Sequence, residues 1–150
     1  EGSRVPAMEE LVERAGRMLA AGAGVLDIGG ESTRPGSDSV DGEEERRRVV
    51  PAIAALRKAY PDAVISIDTY RADTAEAAIA AGADIINDIS AMEADPRMAD
   101  VVVGYERRRL FLCICAVRRR ICSRTASTRM LCRRLPFIWR RERSFCVSVV

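Results

Sequence analysis

Histidine is missing from the sequence altogether. That removes the commonest general base near neutral pH and the commonest metal ligand. Cysteine is missing from residues 1–105. All five (Cys113, Cys115, Cys122, Cys132 and Cys146) come later, at spacings that fit no standard zinc pattern. No apolar run approaches the roughly 18 residues that a membrane span needs. No signal peptide is visible either, so a cytoplasmic location is expected. The 150 residues can bury one core. They fall short of the roughly 250 of a complete eightfold β/α barrel. A chain that opens on Glu1 is expected to be a piece of something longer.

Charge divides the chain in two. Residues 1–105 carry 11 basic and 20 acidic side chains, whereas residues 106–150 carry 13 arginines and 2 glutamates. The small net charge of +2 hides this change near Tyr105. The two parts need separate readings.

In the first part, Met8, Leu11, Val12, Ala15, Met18 and Leu19 recur at helical spacing, which predicts a helix over 9–21. Gly22 and Gly24 stop it. "VLDI" then reads as a short strand. A second helix is predicted over 43–59, with Glu43, Glu44 and Glu45 favouring its N-terminus and Val49, Ile53 and Leu56 as its stripe. Pro51 inside it predicts a kink or a late first turn. "AVISID" at 63–68 reads as a strand rich in β-branched residues. An alanine-rich helix over 72–81 ends at Gly82. "DIIND" at 84–88 is a third strand, and Asp95-Pro96 opens a short helix through about Val102. Helix–strand alternation with strands apolar on both faces predicts an α/β fold with a parallel sheet.

In such folds ligands meet the carboxyl ends of the strands. The first end is "DIGGESTRPG", with Asp27, two glycines, Thr33 and Arg34. The second carries Asp68 and Thr69, and the third carries Asn87 and Asp88. Adjacent parallel strands would bring these groups to one face. A carboxylate such as Asp68 accepts paired hydrogen bonds from a ring N–H and an amino group, and Asn87 offers both donors and an acceptor. Thr33 donates to an anion, and Arg34 pairs with one through both arms of its fork. The plainer alternatives are that Asp27 and Asp68 are helix caps or turn residues, and that Gly-Gly is a simple turn. The Glu-Arg run at 43–48 reads as a solvated helix face. "GESTRPG" is no Walker loop, since no Gly-Lys-Ser/Thr follows.

Four stretches in this order, "DIGGESTRPG", "EEERRRVVPAI", "ISIDT" and "AGADIINDIS", resemble dihydropteroate synthase, the pterin-binding barrel family of folate synthesis. The resemblance covers about residues 6–103. It implies that residues 1–105 are a fragment of a (β/α)8 TIM barrel, about strands two to four with flanking helices. It also implies a reaction, in which para-aminobenzoate displaces pyrophosphate from a dihydropterin-methyl diphosphate, with magnesium. Carried over, Thr33 contacts the diphosphate and Arg34 the anionic groups. Asp68 and Asn87 hold the pterin ring, and Asp27 is a polar support beneath the loop. The intact family member is often a homodimer. A pterin-binding methyltransferase shares the barrel, but "GGESTRPG" followed by "SIDT" favours the synthase. The family's magnesium-binding asparagine would precede Glu1. Its fifth-strand Met-His-Met-Arg pattern, later aspartate, catalytic-loop lysine and final Arg-x-His have no counterpart. The chain alone is therefore expected to be inactive.

Residues 106–150 have clustered arginine, no glycine and no sustained period, although "LFLCICAV" has strand character. One alternative is a non-enzymatic tail that binds nucleic acid through arginines, with Trp139 and Phe137 stacking on bases. The acidic first part makes nucleic acid an unfavoured partner. The favoured reading is a poorly ordered basic tail translated out of frame. "CICAVRRRIC" at 113–122 can be encoded as TGC ATA TGC GCG GTA CGC CGG CGG ATA TGC. With one A in front, the same bases read Met-His-Met-Arg-Gly-Thr-Pro-Ala-Asp-Met, the family's missing motif. The register change is placed between Tyr105 and Cys113. Sequencing the coding DNA is expected to recover this motif one base earlier; codons that do not give it would end the frameshift reading.

Overall fold

A computed structural model describes residues 8–31 and 40–105, and the backbone of 143–148. In chain order the elements are α1 (Met8–Ala20), β1 (Ala23–Gly29), α2 (Gly42–Ala59), β2 (Ile65–Asp68), α3 (Ala72–Ala81), β3 (Ile85–Asn87), α4 (Met98–Tyr105) and β4 (Arg143–Ser148). The strands form one sheet in the order β3-β2-β1-β4. Every pair is parallel. The expected α/β alternation is therefore present, with each helix within about two residues of its predicted bounds except the last. There Asp95 and Pro96 sit in a turn, and α4 begins at Met98.

The strands sort their side chains by alternation. Leu26 and Ile28 of β1, Ile65 and Ile67 of β2, and Ile86 of β3 point to one face. There they join Leu11, Ala15, Val49, Ile53, Leu56, Ala75, Ala78 and Met98 in a single buried core. The opposite face carries Asp27, Ser66, Asp68 and Asn87. Register aligns them: Asp27 opposes Ser66, Gly29 opposes Asp68, and Asp68 opposes Asn87.

Helix ends follow the sequence chemistry. The Asp41 side chain caps α2 by accepting from the Glu44 amide at 2.7 Å. Gly82 ends α3 in the left-handed region at φ +117°, where a side chain would be strained. Asp95 reaches across from the next loop and accepts from the Ala72 amide at 3.0 Å, so α3 is capped from outside its own sequence.

Pro51 does not divide α2, which runs unbroken from Gly42 to Ala59. The expected late first turn is corrected here. Pro51 and Arg47 both lie on the exposed side, so water meets the carbonyl that loses its partner, while Val49, Ala52, Ile53 and Leu56 keep the buried stripe continuous. Opposite the ligand-facing strand ends, Arg57 ties the base of the sheet together. Its guanidinium donates to the carbonyls of Gly82, Pro61 and Ala63 and pairs with Asp84, whose carboxylate also accepts from the Ile65 amide.

Most of the basic tail, including the 110–117 stretch with strand character, Trp139 and Phe137, lies outside the described residues. The exception is β4. The sequence reading placed no strand at 143–148, yet its backbone pairs in parallel along β1 from Ala23 to Gly29.

Candidate functional site

The carboxyl ends of β1, β2 and β3 lie side by side, and three of the five candidate residues meet there. Asn87, almost wholly buried, donates from Nδ2 to Asp27 Oδ2 at 3.1 Å across the width of β2. That bond fixes the amide's orientation, because a carboxylate accepts only from the NH2 side. The Asn87 carbonyl is thereby turned away from Asp27. Its Oδ1, like Asp27 Oδ1, is buried and has no hydrogen-bond partner among the described residues. Asp68 lies on the strand between theirs, level with Asn87 and with Gly29, two residues beyond Asp27.

The electrostatics of this face are one-signed. Burial, then the charges of Asp27, Glu45 and Asp88, raise the Asp68 carboxyl from 3.8 to about 6. The site therefore presents a row of acceptors and negative charge. Its complement is a flat ligand with several adjacent N–H donors, or one that carries positive charge during reaction. Among the described residues no group of three or more acidic, cysteine or histidine side chains could hold a metal ion.

Neither aspartate is a helix cap. Asp88 does serve the backbone: it accepts from the Ser90 amide at 2.7 Å and the Met92 amide at 2.9 Å. This braces a turn in which Ala91 and Met92 both have positive φ.

The two glycines after Ile28 differ in what they do. A Cβ on Gly30 would lie 2.8 Å from Val49 Cγ1 and 3.2 Å from the Glu45 carbonyl, so α2 packs directly on this backbone. Arg48 adds a bond to the Gly30 carbonyl at 3.0 Å. A Cβ on Gly29 would meet only Asp68, at ordinary contact distance of 3.6 Å. Gly30 is thus needed for packing, and Gly29 leaves the face open beside Asp68. Thr33 and Arg34 lie outside the described residues.

The sequence reading missed a second polar group next to this one. Glu45 lies in the run expected to be a solvated helix face, but it is 1% exposed. Its carboxylate accepts from Thr74 at 2.8 Å and from Arg71 at 3.0 Å. Arg71 also donates to Glu31 at 2.8 Å and to the Val40 carbonyl at 2.7 Å. A signal was present: Glu45 falls in phase with Val49, Ala52 and Leu56 on the buried stripe of α2.

Comparison with known proteins bears on this site. Residues 1–134 match the family model described as pterin binding enzyme. The folic acid synthesis protein fol1 of Pneumocystis carinii is 49% identical over 102 residues, covering 68% of this chain and 13% of that protein. The dihydropteroate synthase of Streptococcus pyogenes is 42% identical over 106 residues, covering 71% of this chain and 40% of that enzyme. A crystal structure of the dihydropteroate synthase from Clostridium difficile, determined in the presence of pteroic acid, superposes with a TM-score of 0.65 at 41% identity, over 69% of this chain and 38% of that one. The described unit is thus an α/β sector of that TIM-barrel fold, and the chain spans about two fifths of the length of the Streptococcus pyogenes enzyme. With its parallel sheet, its acceptor row at three strand ends and a family match over most of its length, this chain belongs to the pterin binding enzyme family.

Proposed function

We propose that this chain carries the pterin-ring part of a dihydropteroate synthase site, acting on a dihydropterin-methyl diphosphate and para-aminobenzoate. One observation carries the reading: Asp27 Oδ1 and Asn87 Oδ1 are buried acceptors without partners among the described residues, and Asp68 lies level with Asn87 on the strand between theirs. A buried unpaired acceptor costs roughly 1–3 kcal/mol. A ligand with adjacent N–H donors relieves that cost, and a pterin ring has this donor pattern. Asp27 holds the Asn87 amide so that its carbonyl faces the ligand. Ionised Asp68 takes paired hydrogen bonds from the ring.

The proposed chemistry breaks the bond between the pterin methylene carbon and the diphosphate oxygen. The electron pair leaves with pyrophosphate. The amine nitrogen of para-aminobenzoate forms the new C–N bond and releases a proton. The negative field of Asp27 and Asp68 favours positive charge on the ring as the bond breaks. Thr33 and Arg34 take the anionic groups. Magnesium is what the family resemblance implies; among the described residues no three acidic, cysteine or histidine side chains gather as a metal site, and no step here depends on it. The chain alone is expected to form no dihydropteroate above background, so ligand binding is the appropriate readout.

The test separates the ring from its anion. Arg34→Ala is expected to weaken binding of the pterin-methyl diphosphate by about tenfold to a hundredfold, the range of a lost charge-assisted bond. Binding of 6-hydroxymethylpterin should stay within about twofold of the parent chain. Calorimetric titration measures both. Equal losses for the two ligands would count against the division of roles.

A further inference from the structure

Between Glu31 and Val40 the chain could extend to roughly 30 Å. The described structure instead brings these two residues together. The Glu31 carboxylate accepts from the Tyr70 hydroxyl at 3.1 Å and from Arg71 Nη1 at 2.8 Å. Arg71 Nη2 returns to the Val40 carbonyl at 2.7 Å and donates to the Tyr70 hydroxyl, also at 2.7 Å. The guanidinium lies over the Tyr70 ring at 4.4 Å. Its other anchor is Glu45, buried inside α2 and bonded in turn to Thr74 of α3. Burial works against the Glu31 carboxylate, yet Arg71, Tyr70 and the Val40 amide together hold its carboxyl below the ordinary value.

We propose that Arg71 is a positioning residue: it pins both ends of the segment that carries Thr33 and Arg34 to the β2–α3 connection, through Glu31 on one side and Val40 on the other. The forked guanidinium suits this task. It addresses two carboxylates, a carbonyl and a hydroxyl at once, which a lysine ammonium on its single stem cannot reproduce. The consequence for ligand binding rests on the anion role proposed for Thr33 and Arg34; the anchoring itself does not.

Amide hydrogen exchange on the 150-residue chain tests the anchor without any ligand, so its outcome is separate from the diphosphate reading. The Val40 amide is the reporter, since Arg71 holds the Val40 carbonyl at 2.7 Å and the Val40 backbone helps to keep the Glu31 carboxyl low. In Arg71→Ala, Val40 is expected to exchange about tenfold faster or more, while Ile67, Asp68 and Ala78 keep parental rates. Loss of Arg71 leaves Glu45 buried without its countercharge, so a second variant is included. Glu45→Gln/Arg71→Gln removes both charges together and is expected to show the same local acceleration. Glu45→Gln alone, which keeps Arg71 on Glu31 and Val40, should stay within about threefold of the parent. Parental exchange at Val40 in the variants lacking Arg71 would overturn the proposal. So would an acceleration spread evenly over β2 and α3, which marks a general structural role.

Discussion

Asp68→Asn is expected to stabilise the fold at pH 8 while weakening pterin binding. The carboxyl is raised from 3.8 to about 6, chiefly by burial and then by Asp27, Glu45 and Asp88. Below about pH 3 Asp68 is protonated in both folded and unfolded chains, and the folded state loses nothing. Between about pH 4 and pH 6 the unfolded chain ionises this group while the native chain holds its proton, so stability falls across that window and stays low above it. A shift of this size corresponds to roughly 3 kcal/mol at most. Asp68 is only half-buried, and solvent screening reduces the expected gain to about 1–2 kcal/mol. Denaturant unfolding of parent and variant should therefore coincide near pH 3, separate between about pH 4 and pH 6 and differ fully at pH 8, with the variant more stable. Coinciding curves at pH 8 would mean that Asp68 is not held at a cost. A carboxylate kept where it destabilises the chain is best explained by the ligand it meets.

The second large effect is at Glu45. Glu45→Ala is expected to destabilise by about 2–3 kcal/mol, because it leaves buried Thr74 without its acceptor and takes from Arg71 one of its two carboxylates, Glu31 remaining. Glu43→Ala, two residues earlier on the exposed side, should change stability by no more than about 0.5 kcal/mol. Urea unfolding of the two variants makes the comparison. Similar small effects would restore the reading of 43–48 as a uniformly solvated face.

These two residues show what a sequence reader can see. Asp68 was legible because parallel strands of β-branched residues must place their carboxyl ends together, and Asp27, Asp68 and Asn87 each sit at such an end. The hydrogen bond from Asn87 to Asp27 was not legible, since it joins residues 60 apart and depends on strand order. Glu45 was hidden by its neighbours: in a run of acids and arginines, one buried carboxylate looks like the rest unless it is phased against Val49, Ala52 and Leu56. Arg71 was hidden because its partners, Glu31, Val40 and Glu45, come from different segments. The pairing of β4 along β1 is equally non-local, and nothing in "RSFCVS" announces it. Local propensity gave the elements; burial and long-range pairing decided which charges matter.

The central claim is that the strand-end acceptors bind a pterin ring. Its most direct measurement is a fluorescence titration of 6-hydroxymethylpterin at pH 8 against the parent chain and Asp68→Asn. Loss of a charge-assisted pair worth roughly 1.5–3 kcal/mol predicts saturable binding by the parent and an affinity lower by about tenfold to a hundredfold in the variant. The same affinity for both chains, with the variant folded, would contradict the account.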